Sequence, residues 1–221
     1  MPRFAANLTM LFTDVDFLDR FSRAASAGFS GVEYLFPYQY DRRLLAELLQ
    51  RHRLTQVLHN LPAGDWSAGD RGMACDPRRR AEFAAGVERA VEYATALGCT
   101  QVNCLAGIVP KNVDAGEVRE VFVDNLRFAA RELQLARIKL LIEPINTRDI
   151  PGFFLTHTAQ AVDIIEAVGS DNLFLQYDAY HMQIMEGDLA FTIERLLPRI
   201  AHLQVADPPG RHEPGDRKSV V

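Results

Sequence analysis

The most informative segment of this sequence is Leu140-Leu141-Ile142-Glu143-Pro144-Ile145-Asn146, where an unbroken apolar run ends in a carboxylate, a proline and a polar turn residue. Consecutive aliphatic residues without polar alternation are typical of a strand that is covered on both faces, as in parallel α/β sheets. The carboxylate follows directly after that run. The segment therefore predicts a buried parallel strand with a chemically active group at its tip.

Two later segments repeat this pattern. Residues 173–178 end in Asp178, and residues 200–207 carry Gln204 among aliphatic side chains. Helical stretches separate the three runs, so right-handed crossovers would bring Glu143, Asp178 and Gln204 together at one rim. Each residue alone also fits a helix N-cap or a loop ion pair. Three oxygen donors in register favour a site for a divalent cation such as Mg²⁺ or Mn²⁺.

Strand-like and helix-like segments alternate along the chain with a period of about 30 residues. The predicted strands are residues 4–8, 31–36, 54–60, 101–105, the run before Glu143, 173–178 and 200–207, and the predicted helices are 16–27, 42–53, 78–97, 115–133, 158–168 and 189–197. This alternation predicts an α/β fold of the TIM (β/α)8 type. A doubly wound sheet is the alternative, but no GxGxxG follows the first strand and the sequence has no Walker lysine loop.

Seven strands and six helices leave the predicted barrel one strand short of closure. A complete barrel would need about 35 to 40 further residues. The sequence has no Gly-, Ser- or Pro-rich stretch typical of a linker between domains. We therefore expect residues 1–221 to form a single, incomplete barrel domain that lacks a seventh crossover helix, an eighth strand and an eighth helix.

Composition excludes several classes of partner. The 221 residues are 48% hydrophobic and carry a formal net charge of −5, which argues against nucleic-acid binding. The apolar run at the N-terminus is too short and too polar for a signal peptide or a membrane span. Cys75, Cys99 and Cys104 are an odd number without metal-ligand spacing, as expected for reduced thiols. We expect a cytoplasmic protein with neither a nucleic-acid nor a membrane partner.

Three further positions have two interpretations each. Glu33 interrupts the second predicted strand and belongs either to the rim or to a seam between helix and sheet. His59 ends the third strand, where a lone histidine is more often structural than catalytic. Trp66 lies in the long Gly-rich segment 61–77, and it is either a lid aromatic or a plug that packs the loop down.

Short motifs along nearly the whole chain resemble one known family. They are RFAANL at residues 3–8, HNLPAGDW at 59–66, LIEPIN at 141–146, QYDAYHMQ at 176–183 and HLQVAD at 202–207. With these motifs the sequence resembles the hydroxypyruvate isomerases of the xylose-isomerase-like TIM-barrel superfamily, which also contains tagatose epimerases and 2-oxo-tetronate isomerases. The sequence of residues 59–66 is more similar to the hydroxypyruvate branch than to the 2-oxo-tetronate branch.

The resemblance implies a reaction and a set of metal ligands. Hydroxypyruvate and tartronate semialdehyde would interconvert by proton transfer between adjacent carbons through an enediolate, and a bound cation would stabilise the developing charge. Glu143 would be both metal ligand and proton-transferring base, and Asp178 and Gln204 would be metal ligands.

The resemblance also implies substrate contacts. His181 would lie near a substrate oxygen, and His59 belongs to a motif of the substrate site. Arg211 would clamp the substrate carboxylate, because a guanidinium offers a bidentate fit. The competing interpretation of Arg211 is an exposed loop residue. The partner would be a small hydroxy-oxo acid, and exposed strand edges would allow a homo-oligomer.

The sequence departs from the family near its end. Family members carry a second catalytic glutamate on the eighth strand, whereas this chain ends with DRKSVV at residues 216–221. One alternative function is therefore an inactive, truncated remnant that binds metal or ligand, or a regulatory partner of a full-length copy. Others are a 2-oxo-tetronate isomerase or a related sugar isomerase or epimerase, and a DNA-repair endonuclease of the same superfamily. The endonuclease would need a His-rich zinc cluster and a basic face, and six scattered histidines with an acidic charge balance argue against it.

Overall fold

Seven parallel strands form one sheet in the computed structural model, which describes residues 2–215. Each strand pairs in parallel with the next strand along the chain. The strands are β1 (Ala5–Asn7), β2 (Gly31–Glu33), β3 (Thr55–Asn60), β4 (Gln101–Cys104), β5 (Lys139–Ile142), β6 (Leu173–Asp178) and β7 (Ile200–Gln204). Because all strands run the same way, their carboxyl ends meet at one rim.

The sheet is curled, because side chains of non-adjacent strands meet inside it. Nε2 of His202 on β7 lies 2.6 Å from Oε2 of Glu33 on β2, and Nδ1 of His202 lies 3.3 Å from Nε2 of Gln101 on β4. Side chains that meet across the inside of a curled parallel sheet fill the interior of a TIM barrel. The predicted α/β barrel-type fold is confirmed.

Helices connect the successive strands. They are α1 (Arg20–Ser26), α2 (Arg42–His52), α3 (Arg80–Leu97), α4 (Ala115–Leu135), α5 (Thr158–Val168), α6 (Ala179–Met185) and α7 (Leu189–Leu196). In α4, Val118, Phe122 and Leu126 recur on one face and are fully buried, as expected for a helix that packs one apolar stripe on a sheet.

The run that precedes Glu143 is buried on both faces. Leu140, Leu141 and Ile142 are each 0% exposed, so successive side chains that point to opposite sides of the sheet all avoid water. Burial of each such side chain stabilises the fold by about 1.5–3 kcal/mol. The interpretation of this segment as a doubly covered parallel strand is confirmed.

One helix was missing from the six that the sequence predicts. α6 follows β6 without an intervening loop, and Oδ1 of Asp178 accepts a hydrogen bond from the backbone N of Tyr180 at 2.8 Å. The helix is only seven residues long, and its Tyr180, His181 and Met182 are consecutive and all buried. An amphipathic stripe, the signal that reveals longer helices, is therefore lacking.

The last predicted strand is also shorter than expected. β7 ends at Gln204, because Asp207 pairs with His212 in an antiparallel bridge and the chain turns back there. The two backbone N–H···O distances are 2.9 and 3.1 Å. The divergent residues 216–221 lie outside the described part of the chain.

Each outer strand has one sheet neighbour among residues 2–215, since β1 pairs with β2 and β7 with β6. Apolar side chains near these edges face water: Phe4 is 72% exposed, Leu203 42% and Val205 60%. Within the same range no helix combines the length and apolar character that crossing a bilayer requires.

Candidate active site

A cavity opens at the rim formed by the carboxyl ends of the strands. Strand ends supply its polar wall, and the loops supply an apolar rim. The lining includes Asn7, Glu33, Asn60, Glu143, Gln176, Gln204, Asp149, His181 and Arg211 as polar residues, and Met10, Trp66, Leu105, Ile145 and Ile150 as apolar ones. Ligand sites of parallel barrels lie at this end of the strands.

Three buried side chains lie together at this rim, and two of them, Glu143 and His181, line the cavity. Glu143 directly follows β5, Asp178 ends β6, and His181 lies one turn into α6. One ligand atom from each lies within 4.8 Å of the others, and Nε2 of His181 is 3.7 Å from Oδ2 of Asp178 and 4.0 Å from Oε1 of Glu143. In residues 2–215 this is the one group of three or more His, Cys, Asp or Glu residues so arranged. The His-rich cluster of an endonuclease is not found there.

The carboxyl group of Glu143 is held in an unfavourable environment for a charge. Burial raises the pKa of Glu143 above its ordinary value, and the neighbouring charge of Asp178 raises it further. Nδ2 of Asn103 donates a hydrogen bond to Oε2 of Glu143 at 2.9 Å. The side chain is therefore fixed in position, and its proton affinity is increased. A general base needs both properties.

Arg211 points into the cavity rather than into solvent. Its guanidinium forms an ion pair with Asp178 and lies 5.0 Å from the ring centroid of Tyr180, and its side chain is 24% exposed. Nη1 of Arg211 lies 3.3 Å from Nε2 of His181. The interpretation of Arg211 as a fully exposed loop residue does not agree with this placement.

His181 is neutral at physiological pH. Burial lowers the pKa of His181 to about 4, although the nearby charge of Asp178 acts in the opposite direction. A neutral imidazole offers one donor and one acceptor nitrogen. His181 can therefore donate a single hydrogen bond into the cavity.

Gln204 lies in the same cavity but belongs to a second polar group. Its Nε2 donates to Oε1 of Glu33 at 2.6 Å, and its Oε1 accepts from Nε2 of Gln176 at 3.1 Å. Asn7 donates to the same Oε1 of Glu33 at 2.9 Å. Glu33 therefore faces the rim and not a seam between helix and sheet.

His59 is not brought together with these residues. Its ring is buried, with Nδ1 3.4 Å from the hydroxyl of Tyr38 and 3.1 Å from the carbonyl oxygen of Asn60. Leu58 and Asn60, the residues on either side, line the cavity. Side chains alternate along a strand, so His59 points away from the site where a substrate contact was expected. Burial lowers its pKa to about 4.

Trp66 combines the two interpretations that the sequence left open. It lines the mouth of the cavity, and its ring centroid lies 5.1 Å from that of Phe36. Arg71 stacks its guanidinium 4.2 Å above the Trp66 ring. Arg79 anchors the same loop through a 2.9 Å ion pair with Asp70. Trp66 thus packs the loop down and forms part of the apolar rim.

Several polar residues of the site were not identified from the sequence. Gln176 precedes Asp178 by two residues on β6, so strand alternation places both side chains on one face. Asn103 on β4 lies one strand away from β5, where Leu141 is its partner in register. Alternation within the predicted strands could have revealed Gln176, whereas the contact of Asn103 with Glu143 depends on register.

A parallel barrel with buried carboxylates at its carboxyl rim has the architecture of a TIM-barrel enzyme. The chain belongs to the xylose isomerase-like TIM barrel family, whose sequence model matches residues 21–218. It is 53% identical to hydroxypyruvate isomerase of Escherichia coli (strain K12) over 215 residues, which cover 97% of this chain and 83% of that protein. It is 45% identical to 2-oxo-tetronate isomerase of Cupriavidus necator, covering 97% and 82% of the two chains.

Solved structures agree with this assignment. A crystal structure described as AP endonuclease, family 2 from Brucella melitensis superposes with a TM-score of 0.96 at 46% identity, covering 99% of this chain and 84% of that one. A structure of L-ribulose 3-epimerase superposes with a TM-score of 0.75 at 22% identity over 94% and 70%, a likeness that concerns the fold alone. The family and the named relatives identify the chain as an isomerase.

Proposed function

We propose that the protein interconverts hydroxypyruvate and 2-hydroxy-3-oxopropanoate (tartronate semialdehyde), with Glu143 as the proton-transferring base. In the forward direction Glu143 would remove a proton from C3 of hydroxypyruvate to give an enediolate, a proton would be returned at C2, and the hydroxyl proton would pass from the C3 oxygen to the C2 oxygen. The observation that carries the proposal is the buried carboxyl group of Glu143, whose proton affinity is raised beside Asp178 and the neutral His181. A base for a carbon acid must be both strong and correctly placed.

The donor set at the rim fits a divalent cation, Mg²⁺ or Mn²⁺. Two buried carboxylates, Glu143 and Asp178, lie together. Among residues 2–215, Arg211 is the one arginine or lysine that forms an ion pair with either of them, and it pairs with Asp178. Hard oxygen ligands with uncompensated negative charge are the ligands these ions prefer. We propose that Glu143, Asp178 and Gln204 hold the cation. When bound, it supplies the positive charge that stabilises an enediolate.

His181 and Arg211 are proposed to bind oxygens of the substrate. Nδ1 of His181 lies 2.7 Å from Nδ2 of Asn146, which is a donor, so the ring hydrogen is on Nε2. Nε2–H therefore faces Nη1 of Arg211, a second donor, at 3.3 Å. Two neighbouring donors at the cavity suit one acceptor that lies beside both, and a carboxylate oxygen of a hydroxy-oxo acid would be such an acceptor.

The apolar rim suits a small substrate. Trp66, Leu105, Ile145 and Ile150 line the cavity above the carboxylates. Apolar walls reduce access of water to the reacting carbons and strengthen the electrostatic contacts inside. The substrate class, a short hydroxy-oxo acid, is proposed from the names of the relatives.

The experiment is turnover in D₂O. Protein treated with EDTA is incubated with hydroxypyruvate alone, with MgCl₂ and with MnCl₂, and proton NMR follows tartronate semialdehyde and deuterium at C3. We expect product and exchange only with added cation, and neither in Glu143→Gln. Folded, cation-loaded protein that neither exchanges nor converts hydroxypyruvate would refute the proposal.

A second candidate is 2-oxo-tetronate isomerisation, because relatives at 45% and 43% identity carry that name. Its substrate is one carbon longer. The ratio of kcat/KM for the two acids decides between the two reactions. Binding of Mn²⁺ without turnover of either acid would instead support an inactive, metal-binding remnant.

We also propose a cytoplasmic location. Cys75, Cys99 and Cys104 are buried and unpaired among the described residues. Burial raises the pKa of each thiol above its ordinary value. Unreactive reduced thiols suit a reducing compartment. Fractionation of cells that express a tagged protein tests this.

A further inference from the structure

Glu33 is a buried carboxylate that has no role in the reaction proposed above. Its side chain accepts three hydrogen bonds: Oε1 accepts from Asn7 at 2.9 Å and from Gln204 at 2.6 Å, and Oε2 accepts from His202 at 2.6 Å. The residue is 5% exposed. A carboxylate with three donors from β1 and β7 is held rigidly at the end of β2.

The side-chain amide of Gln204 has two possible orientations, and a neighbouring carboxylate can select one of them. The oxygen and nitrogen of a glutamine amide have nearly the same shape, and rotation by 180° exchanges them. An ionised carboxylate only accepts hydrogen bonds, so Glu33 requires the NH₂ group on its own side. The carbonyl oxygen of Gln204 is then left on the opposite side, where Nε2 of Gln176 donates to it at 3.1 Å.

This orientation matters because only the carbonyl oxygen of an amide is a ligand for a hard cation. An inverted amide would present two N–H groups, which repel positive charge. The carboxylate of Glu33 cannot itself rotate out of position without losing the bonds from Asn7 and His202.

We propose that Glu33 is a positioning residue that orients the amide of Gln204 for cation binding. The inference rests on the proposed function, in which Gln204 is a cation ligand. Glu33 acts through Gln204 and has no direct contact with the cation in this proposal.

A double-mutant cycle separates this role from two simpler ones. Glu33 also adds negative charge to the cavity, and its bond to His202 ties β7 to β2. Isothermal calorimetry at pH 7 measures Mn²⁺ affinity of EDTA-treated wild type, Glu33→Leu, which removes the acceptor, Gln204→Leu and the double variant. Circular dichroism melts in the absence of metal verify that each variant is folded.

We expect Glu33→Leu to raise the Kd for Mn²⁺ about tenfold in the wild-type background, as the loss of other groups that orient metal ligands does. The same substitution should change the Kd less than about twofold in the Gln204→Leu background, where no amide is left to orient. An equal effect in both backgrounds would mean that Glu33 acts by its charge, and it would overturn the inference. So would an unchanged Kd in Glu33→Leu.

A reciprocal pair keeps the inference testable if Glu33→Leu is unstable. Gln204→Glu brings two carboxylates together and should lower the metal-free thermal midpoint. Adding Glu33→Gln restores a donor opposite an acceptor, so the midpoint should recover and Mn²⁺ should bind at least as tightly as in wild type. Absence of recovery contradicts the role of Glu33. A wild-type protein that binds no Mn²⁺ refutes the proposed cation site together with this inference, whereas the other negative outcomes leave the site intact.

Discussion

Nδ2 of Asn146 lies 2.7 Å from Nδ1 of His181, and this amide cannot be inverted. Its Oδ1 accepts from the backbone N of Asp149 at 2.7 Å, and its Nδ2 also donates to Oδ2 of Asp149 at 3.1 Å. Asn146 therefore determines the tautomer of His181. The ring hydrogen is on Nε2, the nitrogen that faces Glu143 and Asp178.

Replacing Asn146 by alanine should lower kcat about tenfold or more with a smaller change in KM, because the ring of His181 loses its fixed tautomer. Nitrogen-15 NMR of the histidine rings should show a mixture of tautomers at His181. The control is Asn172→Ala. It removes two side-chain hydrogen bonds outside the cavity, which Nδ2 of Asn172 donates to the carbonyl oxygens of Ala130 and Ile138. A single Nε2–H tautomer in Asn146→Ala would contradict this assignment.

Glu143→Gln should abolish proton exchange at the substrate carbon and leave the metal-free protein equally or slightly more stable. The amide removes a charge that burial and Asp178 both disfavour. Deuterium incorporation by NMR and the thermal midpoint measure the two effects. If the variant exchanged deuterium as fast as wild type, another group would be the base.

Asp178→Ala should weaken Mn²⁺ binding more than Gln204→Ala, with a Kd ratio of about ten, because an anionic oxygen is the stronger ligand for a hard cation. Calorimetry on EDTA-treated protein gives both values. Asp178 also caps α6, so its loss should cost about 1 kcal/mol of stability. Asp178→Asn keeps a capping oxygen and controls for that cost. Equal losses for the two alanine variants would mean that the proposed ligand set is wrong.

His59 should make the protein sensitive to acid. The pKa of His59 is about 4 in the folded protein, whereas its ordinary value is 6.5. As the pH falls, His59 therefore binds a proton in the unfolded chain before it does so in the folded protein. The stabilisation by the neutral ring is present above pH 6.5 and is lost between pH 6.5 and 4. This loss amounts to at most about 3 kcal/mol.

Urea unfolding at pH 7, 6, 5 and 4 measures this dependence. His59→Phe should have a shallower slope of unfolding free energy against pH, whatever its absolute stability. His181 is also buried with a lowered pKa and should account for part of the remaining slope. The exposed His157, replaced by phenylalanine, is the matched control. Parallel slopes for His59→Phe and wild type would contradict the assignment.

Self-association should depend on the outer edge of β7. Leu203 and Val205 are exposed there, and an unpaired strand edge with apolar side chains is a site for pairing with a second copy. Leu203→Lys and Val205→Lys should shift the sedimentation profile towards the monomer. Leu135→Lys changes a leucine that is 78% exposed at the end of α4 and should have no effect. Identical profiles for all variants would show that this edge is not used.

Local sequence patterns were sufficient for the strands and for part of the site. The apolar run of β5 and the terminal acids Glu143 and Asp178 are features of short segments, and burial of such a run requires no distant information. The helix α6 was not predicted, because its buried residues Tyr180, His181 and Met182 are consecutive and form no amphipathic stripe.

The sequence by itself determined the parallel α/β architecture and the positions of two carboxylates at its rim, because apolar runs and their period are properties of neighbouring residues. Only the tertiary structure decided which side chains meet there. Glu33 and Gln204 are 171 positions apart and Asn146 and His181 are 35 apart. The curl of the sheet brings such residues together, and strand register turned His59 away from the cavity while Asn60 faces it. Hydrogen bonds between distant side chains depend on the packed arrangement of the whole sheet, which no short segment encodes.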